Sequence, residues 1–310
     1  MSELMKEQGF GVEVEFTGIT RKHAADIIAQ TFGTVAGSPE SNCYHTRKIS
    51  DQMGRKWQLM RDSSIRPETK AVEYASDEFK CEMVTPILNY EDIELLQTVI
   101  RNLRAAGAMA NSSCGIHVHV DASKQTPASI RRMVNFFVGR QSLIYEALQI
   151  GARADRWCHP ISKVLLSSLH LDDESTMYDV ERIWYSSAND NYMGGIDHSH
   201  YNSTRYHGLN LHSLFTGKGL EFRLFNGTMH AGKIKAYIQF CLAVSAWAIT
   251  AKDNMKYRGI NNYTASQKVT LMKNVLTNRL GLTGREFKTC RLWMTEGLRI
   301  EAEAAGQIAA

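Results

Sequence analysis

The chain has 310 residues, 44% hydrophobic and 22% charged, a balance that excludes disordered and fibrous classes and supplies a core for one or two domains. Its 36 basic and 32 acidic residues leave a formal charge of +4 with no long run of either sign, a mild bias toward anionic partners that specifies no nucleic acid. Six scattered cysteines with no C-x-x-C pair suit reduced thiols and a cytoplasmic setting, and the first ten residues lack the apolar core of a signal peptide. The longest apolar run, around 238–250, is broken by Gln239 and flanked by Lys235 and Lys252, so it reads as a buried helix rather than a membrane span.

In chain order, Gly11 to Phe16 alternates like a half-buried strand, and Thr20 offers a helix cap before His23 to Phe32. Strand-like pieces follow at Gln58 to Asp62 and within Val72 to Thr85, punctuated by Pro67 and Pro86. Ile93, Leu96, Val99, Ile100 and Leu103 recur at helical spacing up to a stop at Gly107, and Ile116 to Val120 reads as a strand. Pro127 to Gln149 predicts an amphipathic helix. The polar stretch 151–200 reads as an irregular insertion, its part 155–201 the segment that would select substrate. Leu209 to Leu214 and Leu220 to Phe225 predict a strand pair across Gly217 and Gly219, followed by a helix from about Lys233 to Lys252 and a helical carboxy-terminal third. The expected division is a catalytic domain over 9–252 and a helical extension over 253–310.

A strand's two-residue period sets Glu13 and Glu15 on one face against Val12, Val14 and Phe16 on the other. The same period pairs His117 with His119, and Glu221 with Arg223. Each pattern alone also fits a solvated strand face or a surface ion pair. Together on one antiparallel sheet, clustered carboxylates and imidazoles would want a divalent cation such as Mg²⁺ or Mn²⁺, and Arg would suit the phosphates such ions accompany.

The ordered motifs Glu13-Val-Glu15, Arg61-Asp-Ser-Ser64, Glu82-Met-Val-Thr-Pro86, Gly115-Ile-His-Val-His-Val120, Arg205-Tyr-His-Gly-Leu-Asn210 and Glu221-Phe-Arg-Leu-Phe-Asn-Gly-Thr228 resemble the amidoligase family of the glutamine synthetase-like superfamily, frequent in phage genomes. The resemblance covers roughly residues 9–250. It implies an α+β fold: an antiparallel sheet with helices on one face and an open face for metal and ATP. It implies an ATP-dependent carboxylate-amine ligase working through an acyl phosphate. By similarity Glu13, Glu15, Glu82, His117 and Glu221 are the candidate metal ligands. Arg205 and Arg223 would stabilise the transferring phosphoryl group, His119 and Asn210 would contact nucleotide, and Asp62 would bind or deprotonate the incoming amine.

The expected partners are small-molecule or peptide carboxylates and amines, with nucleic acid only as a modified substrate, no membrane, and an oligomeric state left open. Two other readings of the same residues stand beside the ligase: a metal-dependent hydrolase using His117 and His119, and a non-catalytic nucleotide- or nucleic-acid-binding module. Against the first stands the lack of the repeated strand-helix units of a barrel hydrolase, and against the second the lack of a basic stripe interleaved with aromatics. His198-Ser-His200, beside Gly194 and Gly195, reads as a loop able to close over substrate, and Cys114 as a small buried residue.

Overall fold

The computed structural model describes residues 2–169, 174–187, 195–252, 260 and 262–308. The first half of the chain runs α1 (Ser2–Glu7), β1 (Phe10–Phe16), α2 (Arg21–Phe32), β2 (Arg47–Ser50), β3 (Lys56–Met60), β4 (Cys81–Val84), α3 (Ile93–Ala105), β5 (Gly115–Val120) and α4 (Pro127–Leu148). It continues through α5 (Lys163–Ser168), α6 (Met177–Ser187), β6 (Leu209–Asn210), α7 (His212–Phe215), β7 (Leu220–Asn226), α8 (Ala231–Thr250), α9 (Ala265–Asn274), α10 (Lys288–Trp293) and α11 (Glu296–Ala304). The fold is α+β, with a seven-stranded sheet in the order β2-β3-β4-β1-β5-β7-β6. The pairs β1–β4, β2–β3, β3–β4 and β6–β7 are antiparallel. Among the described residues no helix is long and apolar enough to cross a membrane.

The chain divides into two compact units, Gly9–Val118 with Phe225–Ile238, and Met1–Gln8 with His119–Leu224 and Gln239–Ala310. The first, a carboxylate-bearing unit, is built on β1 to β4. Alternation does there what it predicts: Val12, Val14 and Phe16 of β1, Cys81 and Met83 of β4, and Trp57 and Leu59 of β3 are all buried. Helix α2 starts where the Thr20 side chain accepts from the His23 N–H and ends at Gly33, whose φ of 66° only glycine adopts cheaply. Its Phe32 ring lies 5.0 Å from that of Trp57, tying helix to sheet, and a buried aromatic of this kind contributes about 3 kcal/mol. Arg55 donates from Nε to Asp51 at 2.8 Å and through its fork to Asp92 at 2.7 and 2.9 Å. Gly227 packs directly on the start of β5: its N–H donates to the Cys114 carbonyl at 2.9 Å, and a Cβ placed there would fall 2.5 Å from Cys114 Cβ.

The second, helical unit is organised by α4 and the larger part of α8. Thr126 and Ser129 form a capping box at the start of α4, with Pro127 in the first turn. Phe136 packs between Phe240 and Trp247, and Phe137 against Phe222 of β7. The carboxy-terminal helices belong to this same unit: Lys268 of α9 bridges Glu146 at 2.7 Å and Glu301 at 3.8 Å. Helix α11 approaches α4 so closely at Gly297 that a Cβ would lie 2.5 Å from the Glu146 carbonyl oxygen.

Of three further segments, one is as expected and two need correction. The strand expected within Val72 to Thr85 is β4, which follows a 3₁₀ turn at Asp77–Phe79 held by Arg21 and Arg61. The stretch 151–200 contains α5 and α6: Val180, Trp184 and Tyr185 make a buried stripe at helical spacing that its polar composition hides. Residues 170–173 and 188–194 of that stretch, including Gly194, and residues 253–259, 261 and 309–310 of the expected extension lie outside the described residues. Finally, only Leu209–Asn210 of the predicted strand is extended, and α7 follows at once.

Candidate functional site

In the carboxylate-bearing unit, antiparallel register sets Glu15 of β1 opposite Glu82 of β4, with Met60 of β3 beyond it. Like charges directly opposite repel, so this pairing costs stability unless a cation or a donor compensates. One donor is in place: the Gly115 N–H donates to Glu15 Oε2 at 2.6 Å. The His117 ring bridges the β1 carboxylates, with Nδ1 at 2.8 Å from Glu13 Oε2 and Nε2 at 3.7 Å from Glu15 Oε1.

Asp62 joins them from the loop after β3. That loop is fixed on several sides: Arg61 Nε donates to both Asp77 carboxylate oxygens at 2.8 and 2.9 Å, Lys80 Nζ donates to the Ser63 carbonyl at 3.0 Å, and Ile65 is buried. Burial pushes the Asp77 carboxyl up, but the Arg61 and Arg21 guanidiniums outweigh it and hold it below the ordinary carboxylate range. The result is a set in which Glu15, Asp62 and Glu82 each offer a carboxylate oxygen, all within 4.8 Å of one another. Hard oxygen donors so gathered are of the kind that could hold a divalent cation.

The remaining sequence candidates belong to the helical unit. Asn210 and Glu221 are register partners on β6 and β7, and Asn210 Nδ2 donates to Glu221 Oε2 at 2.6 Å. Arg223 donates to the other oxygen, Oε1, at 2.5 Å. Strand alternation correctly groups Glu221 with Arg223, yet both are buried, as are Phe222 and Leu224 of the opposite face. A two-residue period cannot distinguish a solvated polar face from a covered one. Arg205 donates to the His200 carbonyl at 2.8 Å, and its guanidinium lies over the rings of Tyr201 and Tyr206. His119 Nδ1 lies 3.3 Å from the Lys218 carbonyl and 3.5 Å from Ser213 Oγ.

None of the sequence motifs points to His212. It is buried with Nδ1 2.7 Å from the Tyr185 hydroxyl. Burial, aided by Arg205 and His198, lowers the imidazole pKa, so His212 is neutral near pH 7. Its helical spacing from Phe215 was the only signal available. His198 pairs at 2.5 Å with Glu181 of α6, which anchors the 195–202 segment to that helix. All six cysteines are free thiols, and Cys114 is buried as expected.

A family model described as "Putative amidoligase enzyme" matches residues 6–245. Among curated proteins no significant match is found.

Proposed function

Because the chain belongs to the amidoligase family and is thereby a ligase, we propose that it couples ATP cleavage to the joining of a carboxylate and an amine through an acyl phosphate. Family membership favours the ligase reading over the hydrolase and binding-module alternatives. The observation that carries the proposal is the gathering of Glu15, Asp62 and Glu82 beside the Glu13–His117 pair. Opposed carboxylates of this kind make sense as a seat for divalent cation.

Glu13, Glu15, Glu82 and His117 are the residues of this unit that would hold a metal, and Glu221 is the candidate metal ligand of the helical unit. A bound Mg²⁺ or Mn²⁺ neutralises phosphate charge and orients the transferring group. Asp62, on the pinned loop, binds the incoming ammonium and takes its proton. Arg205 and Arg223 supply guanidinium donors to the phosphoryl oxygens, where charge-assisted hydrogen bonds are strongest. His119 and Asn210 contact the nucleotide. In the first step a carboxylate oxygen attacks the γ-phosphorus of ATP and ADP leaves. In the second the amine nitrogen attacks the acyl carbon, inorganic phosphate leaves, and the amine proton passes to Asp62. The carboxylate and amine are small molecules or peptides.

The test is ADP and phosphate release with Mg²⁺ or Mn²⁺ against pooled carboxylates and amines, with products read by mass. Substrate-dependent ADP and a product lighter than its reactants by one water, both lost in Glu13→Ala and Arg223→Lys, support the proposal. Metal-independent product formation, or no nucleotide binding in the presence of metal, defeats it.

A further inference from the structure

The helical unit extends outward from Arg205 and Arg223 through residues that the ligase chemistry above leaves unused, Arg156, Trp157 and Tyr206. Arg156 places its guanidinium 4.5 Å above the Trp157 ring. Trp157 meets Tyr206 edge-on at 5.7 Å. Tyr206 in turn lies under both Arg223 and Arg205, at 5.9 and 5.7 Å. Two adjoining rings thus lie between the exposed Arg156 and the buried Arg223 that pairs with Glu221.

The backbone fixes this row. The Trp157 and Cys158 N–H groups donate to the Arg153 carbonyl, the His159 N–H to the Tyr206 carbonyl at 2.7 Å, and the Gly208 N–H to the His159 carbonyl at 3.0 Å. Segment 153–159 is thereby bolted to 204–208. The buried Cys158 thiol lies in the field of Arg153 and Arg223 and, with the opposite sign, of Asp155. Asp155 is the acidic residue of the segment, and it is exposed.

A guanidinium stacked on a ring is held flat with its N–H fork pointing along the plane, the geometry that accepts a carboxylate. Stacked bases need open ring faces instead. Here Arg156 covers a face of Trp157, and His200 stacks on Tyr201 at 4.5 Å. Resting on the ligase reading, we infer that the carboxylate substrate is an acidic peptide, and that the outer part of the row, Arg156 on Trp157, holds carboxylates flanking the one that reacts. Arg156 and Trp157 determine specificity; they are not catalytic.

The experiment is fluorescence anisotropy of a labelled hexaglutamate peptide with the full chain, without ATP or metal. Because no turnover is needed, its result is independent of the ligation assay. Binding weakened about fivefold or more, equivalent to roughly 1 kcal/mol, by Arg156→Gln and by Trp157→Leu supports the inference, provided that Lys22→Gln, an equal charge loss on α2, leaves affinity unchanged. No binding of hexaglutamate, or binding indifferent to Arg156→Gln in a protein whose circular dichroism is unchanged, overturns it. Tighter, Arg156-dependent binding of an oligothymidylate of equal charge also overturns it, in favour of a nucleic-acid surface.

Discussion

Two buried or half-buried glutamate settings on the strands of this protein meet opposite electrostatic conditions. Glu221 on β7 is neutralised within its own unit by Arg223 and further satisfied by Asn210. Glu15 on β1 faces Glu82 across the ladder, with Asp62 alongside. The first arrangement is complete as an ion pair, so breaking it exposes the cost of a buried charge. The second sets carboxylates side by side, with the Gly115 N–H and the His117 ring on Glu15, and under the proposed function a divalent cation would offset the repulsion that remains. Sequence motifs of similar appearance thus encode one self-compensated pair and one poised cluster.

The largest expected effect is at the compensated pair. Glu221→Ala leaves the Arg223 guanidinium without its carboxylate in a buried position, and should cost about 3–5 kcal/mol in urea unfolding. A second prediction takes the same unit and removes electrostatics from the comparison. Gly297→Ala drives a methyl into the Glu146 carbonyl and should cost about 1–3 kcal/mol, whereas Ala substitution at Gly284, which has open space around it, should be near neutral.

A smaller effect separates a structural ion pair of the carboxylate-bearing unit from its poised cluster. The Arg55 fork holds the Asp92 carboxyl below its ordinary value of 3.8. A depressed folded pKa means stability fully present above the unfolded pKa and lost as pH falls through the folded one. Thermal denaturation from pH 6 to pH 3 should show the wild type losing stability on acidification, with Asp92→Asn flattening that slope and removing about 1–2 kcal/mol near pH 6. An unchanged slope would show that Arg55 does not govern acid stability. The smallest effect has the opposite sign. Without metal, Glu82→Gln should relieve the Glu15–Glu82 opposition and stabilise by up to about 1 kcal/mol. Millimolar Mn²⁺ should raise the Tm of wild type more than that of the variant. If the variant is destabilised without metal, the cluster is not poised in the sense argued here.

Much of the carboxylate-bearing unit is legible in the sequence because its chemistry and its geometry share one period. Val12, Val14 and Phe16 must be buried, so Glu13 and Glu15 must share the other face; Thr20 must cap; Gly107 must stop α3. The helical unit is less legible. The buried stripe of α6 is diluted among polar residues, α7 occupies a place that reads as strand, and the covered state of Glu221 and Arg223 depends on packing from distant segments. The position of Asp62 beside Glu15 and Glu82 also escapes local reading, since it is set by the Arg61–Asp77 link and the Ile65 plug. Tyr185 and His212 come together only through the fold, across 27 residues of sequence.

The contact of Gly227 with the first residues of β5 bears on how substitution data for this protein would be read. Asn226-Gly-Thr228 sits inside a motif whose neighbours Glu221 and Arg223 are proposed for the chemistry, and a scan scored on activity would flag all of them alike. Gly227, however, has no side chain to offer a reactant. Its intolerance would report a spacing between two backbones, so inactivity there is a loss of soluble, folded enzyme, and only a scan scored in parallel for abundance would separate the mould from the machinery it shapes.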